Sequence, residues 1–305
     1  MRKDEPFRPK KILCPMDFSE LSDLALKYAV LGAREFDAEL MVMHAYFFEL
    51  PRYFIPNNAD TISTDLQITQ KNIRDSLERH SIEILGSIPD DIKVDFRVLD
   101  NHPVEAIMTS SKEESCDLVI MGTHGLGGIK RFFMGSITES VVRESTVPVF
   151  TIRQKIHDFI QVQRTEIIPK LKRVLCPWDL NPASRPAFDV AVSLSERFKS
   201  ELTILHIQEE GEDADVKEIQ DRIRAMANDI HNPPCHLEIK VRRGNSAEEI
   251  VKHVIDNEED IIVLGAVHKS FLEDTFLGRT TELVMRHAPV PVLITPIYQH
   301  KDETR

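Results

Sequence analysis

The chain has 305 residues, with 38 Lys and Arg against 50 Asp and Glu and a formal net charge of −12. That balance argues against non-specific binding to nucleic acid, whose phosphates it would repel. No apolar run reaches the roughly 20 residues of a membrane helix, the N-terminus lacks the apolar centre of a signal peptide, and four cysteines are too few for a disulfide framework. These features predict a protein of the reducing cytoplasm, without a membrane or nucleic-acid partner.

The first predicted strand is Lys11-Ile-Leu-Cys14-Pro15, ending on Met16 and Asp17. Ser19 then serves as N-cap of a helix whose apolar residues Leu21, Leu24, Ala25, Tyr28, Ala29 and Gly32 share one face. Glu39–His44 reads as a second strand. An unusually aromatic stretch, Tyr46–Pro56, follows; it reads as a lid, a partner surface or a loop packing its own rings. A long helix is expected over Asp65–Leu85, a short alternating strand over Lys93–Leu99, and a helix opened by Pro103. Leu118–Met121, bounded by Asp117 and Gly122, is the continuous apolar run of a buried parallel strand. Ser136 and Glu139 have capping-box spacing, so a helix is predicted to start at Ser136. Residues 154–171 are polar and read as a linker, partly helical.

The pattern then repeats. Cys14-Pro15-Met16-Asp17 returns as Cys176-Pro177-Trp178-Asp179, shifted by 162 positions, and His44 returns as His206. Further on, Gly122 returns as Gly265 and Pro148-Val149 as Pro291-Val292, shifted by 143. The shift falls by 19, so copy one holds 19 further residues, placed in or near Tyr46–Gln70. In copy two Asn181 is a cap before Pro182, and Ser246 a cap of the later helix. Two domains are predicted, 1–153 and 172–305. Each alternates strands and helices, which argues for an α/β fold with a doubly wound parallel sheet. Ligands of such sheets sit at the carboxyl ends of the strands, where the strand order reverses. Asp17 and Gly122 both fall at such ends.

The stretch after Met121 is the most specific feature. Gly122, Gly125, Gly135 and Ser136 form the pattern G-x2-G-x9-G-[ST] between a strand and a helix. Helix N-termini present unpaired amides and partial positive charge to anions, and glycine lets a phosphate approach the backbone. The loop is not a P-loop, because Gly128 stands where Lys is needed. It is not the dinucleotide fingerprint either, because Lys130 replaces the last glycine.

With the two strands and Val147-Pro148-Val149, this pattern resembles the universal stress protein family, in its ATP-binding subgroup. The resemblance implies a fold akin to adenine nucleotide alpha hydrolases and pairing of the last strands. The two copies would then form an internal pseudo-dimer through Phe150–Arg153 and Leu293–Pro296, and a homodimer of whole chains is a further expectation. It also implies a stress-response role, one ATP in copy one, and an unknown protein partner that reads the nucleotide-bound state. Pro15, Met16, Asp17 and Ala45 would contact adenosine, and Met121 and Gly122 would close over it. Gly125, Gly135, Ser136, Ile137 and Thr138 would cradle the phosphates through amides and two hydroxyls. Lys130 and Arg131 either reach the terminal phosphate or are solvated loop charges. Mg²⁺ would be held mainly by the phosphates.

Copy two departs at the critical points. His268 replaces the second glycine and Arg279 replaces Ser136. An imidazole would intrude on the phosphate approach, and Trp178 in place of Met16 could fill the adenine space. Copy two is therefore expected not to bind ATP in this manner. Lesser candidates are a zinc site at His231, Cys235 and His236, which lacks a fourth ligand, and the strand-end histidines His44 and His206, which read as hydrogen-bonded core groups. No catalytic constellation stands out. A slow ATPase or phosphotransferase and a nucleotide-free scaffold remain the alternatives.

Overall fold

A computed structural model describes residues 6–47, 59–123, 134–153, 159–163, 166–209, 211, 214–228, 236–266, 268–271 and 274–296. Copy one runs β1 (Lys11–Pro15), α1 (Glu20–Phe36), β2 (Glu39–Tyr46), α2 (Ala59–Leu85), β3 (Val94–Asp100), α3 (Pro103–Glu113), β4 (Leu118–Gly122), α4 (Ser136–Glu144) and β5 (Val149–Ile152). After a hairpin, β6 (Ile160–Gln163) and β7 (Glu166–Pro169), copy two repeats the order. It has β8 (Arg173–Pro177), a 3-10 turn (Pro182–Ser184), α5 (Arg185–Phe198), β9 (Glu201–Gln208), α6 (Val216–Asn228), β10 (Leu237–Arg243), α7 (Ser246–Asn257) and β11 (Ile261–Gly265). A second hairpin, β12 (His268–Phe271) and β13 (Asp274–Leu277), precedes α8 (Arg279–His287) and β14 (Val292–Thr295).

All ten main strands lie in one sheet, ordered β10-β9-β8-β11-β14-β5-β4-β1-β2-β3. Every neighbouring pair is parallel except the central one, where β14 meets β5 antiparallel with Leu293 opposite Phe150. The two halves are thus two doubly wound sheets joined along their last strands, as the pseudo-dimer reading requires. Further ties cross the seam. The Phe7 amide donates to Ser193 Oγ at 2.9 Å, Arg197 meets Glu35 at 3.2 Å, and the half-buried Arg153 guanidinium donates to the Met285 carbonyl at 2.8 Å.

Strand side chains alternate between two apolar layers. Ile12, Cys14, Leu40 and Ile120 face α1 and α2, whereas Leu13, Met41, Val119 and Met121 face α3 and α4. Cys14 and Cys176 are fully buried at equivalent positions, and burial pushes both thiols far above their ordinary value. They are structural residues, not a bridge.

The repeat extends to backbone detail. The six described non-glycine residues with positive φ fall in three equivalent pairs: Phe18 and Leu180, Asp37 and Lys199, Ser115 and Glu258. Such a conformation costs roughly 1–2 kcal/mol for an L-residue, so its recurrence marks turns fixed by the architecture. Asp117 likewise accepts from the Lys10 and Lys11 amides, as Asp260 does from the Lys172 and Arg173 amides.

Several expectations shift. The linker forms the β6–β7 hairpin, not helix. The extra length of copy one lies where expected and goes largely into α2, which starts at Ala59 and has 27 residues against 13 in α6. Ser19 caps α1 as expected. Asn245, not Ser246, caps α7, accepting from the Ala247 and Glu248 amides.

Candidate functional site

Copy one's strand order places β1 beside β4, with Leu13 opposite Val119, and this is where the order reverses. Pro15, Met16 and Asp17 therefore leave the sheet next to Met121 and Gly122. The Met16 amide donates to the Met43 carbonyl at 2.7 Å, carrying the parallel pairing one residue past β1. Ala45, two residues further along β2, is half-buried against the α3–α4 layer.

Asp17 sits half-buried at this edge. Its Oδ1 accepts from the Ser19 amide at 3.1 Å and the Ser19 hydroxyl at 2.5 Å. Oδ2 takes no part in these bonds and is left for a hydroxyl or amine donor. Phe18 follows with φ of 63°, turning the chain sharply into α1. Its ring packs on His44 at 4.9 Å and His80 at 5.2 Å. Phe18 was not singled out by sequence; the one available signal was its equivalence to Leu180. His44 Nδ1 donates to the Met16 carbonyl at 2.7 Å, and His206 does the same to Trp178 at 2.8 Å. Both histidines are strand-end braces, as their recurrence suggested.

Gly122 ends β4 where α1 begins. A Cβ there would lie 2.9 Å from Leu21 Cβ and 3.0 Å from the Leu21 carbonyl carbon. Glycine is needed for that close approach. The chain returns at Met134. The Gly135 amide donates to the Thr123 carbonyl at 2.8 Å, and Thr123's own amide to Ile152 at 2.9 Å. Gly135 is then the N-cap of α4 with no side-chain cap. The first helical bond runs from the Glu139 amide to the Gly135 carbonyl at 3.0 Å, leaving the amides of Ser136, Ile137 and Thr138 outside the helical ladder. Ser136 and Ile137 are exposed.

The expected capping box does not form. Ser136 is the first helical residue rather than the cap, and Glu139 meets Arg286 of copy two at 3.6 Å. The Thr138 hydroxyl is also engaged, donating to the Gly122 carbonyl at 3.0 Å. It straps α4 to β4, and only its amide faces the open turn. His124, Gly125, Lys130 and Arg131 lie outside the described residues, as do residues 48–56 of the aromatic stretch and His231 and Cys235. Among the described residues no group of three or more His, Cys, Asp or Glu could hold a metal, and no helix is long and apolar enough to cross a membrane.

Copy two builds the same frame. Asp179 accepts from the Asn181 amide and the Ser184 hydroxyl, and Thr281 straps α8 to the Gly265 carbonyl at 3.2 Å. Between β11 and α8 it holds the β12–β13 hairpin, with His268 opposite Leu277. An exposed Arg279 opens α8. The Trp178 indole is 3% exposed and packs on Phe188 at 4.8 Å. It is seated in the core beneath α5, and its Nε1 has no hydrogen-bond partner among the described residues.

Comparison with known proteins agrees with this geometry. The family model described as "Universal stress protein family" matches residues 9–153 and again residues 170–296. A universal stress protein of Methanocaldococcus jannaschii is 26% identical over 155 residues, covering 48% of this chain and 96% of its own length. One from Mycolicibacterium smegmatis is 22% identical over 298 residues, covering 93% and 96%. The crystal structure of a universal stress protein from Archaeoglobus fulgidus superposes with a TM-score of 0.68 at 22% identity, covering 95% of this chain and 99% of that one. The last shares the fold along nearly the whole chain.

Proposed function

The chain belongs to the universal stress protein family, in tandem form, and from that premise we propose that copy one binds one ATP while copy two binds none in the same manner. The observation that carries this reading is the first turn of α4. Its amides at Ser136, Ile137 and Thr138 have no side-chain cap, and they lie beside the strand ends where the sheet order reverses. Such a turn fits a phosphate tail. The free oxygen of Asp17 fits a ribose hydroxyl or the adenine amine. Pro15, Met16, Ala45, Met121 and Gly122 supply the surface for the nucleoside. Gly125, Lys130 and Arg131 complete the cradle from the loop side.

Mg²⁺ is proposed as an ion carried mainly by the phosphates. Binding, not turnover, is the proposed output: the nucleotide changes the conformation of the stretch from Gly125 to Gly135, and a partner reads that change. The setting proposed is a cytoplasmic stress response.

Titration calorimetry of the full chain with MgATP tests the assignment. One site per chain is expected. Ser136→Arg, which copies the Arg279 of copy two, weakens it tenfold or more, about 1.4 kcal/mol. Unchanged affinity in that variant refutes the phosphate cradle.

A further inference from the structure

The seam between the copies holds a cavity of about 50 Å³. It lies on the pseudo-twofold relation between the copies, because equivalent residues from both line it: Phe36 with Phe198, Phe150 with Leu293, and Gly32 with Leu194. The last pair differs most in size: copy two has a leucine there and copy one a glycine, against which Ile12 and Ile120 pack. A glycine inside a helix is disfavoured relative to alanine, and a Cβ at Gly32 would stand 3.2 Å from Ile12 Cδ1 and 3.7 Å from Ile120 Cδ1.

The lining is almost wholly apolar. Its one polar side chain, Tyr28, spends its hydroxyl on the Phe159 backbone just before β6. Phe159 itself lies over the space, with its ring 4.9 Å from Tyr28 and 6.3 Å from Phe150. A buried water needs two to four polar partners, and an apolar cavity without them stays dry and accepts apolar guests. A charged or strongly hydrogen-bonding guest would be left unsatisfied there.

We propose that this cavity is a binding site for a small uncharged apolar ligand, a short alkyl chain, held between the two copies and covered by the linker. It is separate from the α4 turn and does not depend on nucleotide binding. Xenon matches the class in size and chemistry, so crystals of the full chain pressurised with xenon provide the test. Methyl NMR of the full chain under xenon and then propane repeats it in solution. The expected result is a xenon peak in contact with Gly32 and Leu194, with saturable shifts of the Leu194 and Leu293 methyls. Leu293→Phe, which copies Phe150 and fills the space, lowers occupancy at least tenfold. Gly32→Ala, a smaller change, gives a partial loss if the larger ring disturbs folding. Ordered water in the cavity, no xenon in the parent chain, or equal occupancy in the parent and both variants overturns the proposal.

Discussion

Copy one and copy two have the same frame and different openings. Both close their first strand with an aspartate that organises the next turn, and both place a left-handed residue just after it. Both tie the strand-end carbonyl of Gly122 or Gly265 to a helix threonine. At the proposed site they part where the chain leaves that frame. Both enter the last helix through a glycine cap, Gly135 or Gly278, but the first helical residue is a small, exposed Ser136 in copy one and an exposed Arg279 in copy two. Duplicated architecture thus fixes the scaffold in both halves, and the proposed difference in function rests on a few residues in one connection.

The comparison is sharpest at the two strand-end glycines. Gly122→Ala drives a Cβ into the Leu21 backbone and is expected to cost about 1–3 kcal/mol, the range for overpacking a tight site. Gly265→Ala meets Ser184 Cβ at 3.2 Å and should cost less. Urea unfolding of both variants checks this; equal losses would mean that the α1 and α5 contacts are equivalent after all.

The threonine straps should behave alike instead. Thr138→Val and Thr281→Val each remove one buried hydrogen bond, for about 1 kcal/mol apiece. The same unfolding measurements separate the claim from its opposite: a large loss in only one copy would break the symmetry of the frame.

The smallest expected effect concerns Trp178. Trp178→Phe keeps a ring against Phe188 and removes the unpartnered N–H, so stability should stay within about 1 kcal/mol of the parent or rise. A loss beyond that range would mean that the space left by the smaller ring outweighs the relief of the unpartnered N–H.

Much of this was legible in the sequence because it rests on local pattern. The repeat located both copies, the apolar run Leu118–Met121 located β4, and Asp17 and Gly122 marked the strand ends that the sheet brings together. The misses came from competition between partners. Ser136 and Glu139 have the spacing of a capping box, but Gly135 takes the cap and Arg286 draws Glu139 across the seam, a contact no local spacing encodes. The Thr138 hydroxyl is claimed by a carbonyl 16 residues away. The polar linker lacked strand periodicity, yet it pairs as a hairpin while Phe159 and Leu171, flanking β6 and β7, cover the apolar seam. Trp178 takes the place of Met16, and both residues are buried to 3% exposure in the same apolar layer.

The most direct test of the difference between the copies is a crystal structure of the full chain grown in excess MgATP. The account predicts a triphosphate tail on the amides of Ser136, Ile137 and Thr138, with the nucleoside beside Asp17 and nothing bound next to Arg279. An unoccupied α4 turn, or a tail lodged at Arg279 instead, would contradict it.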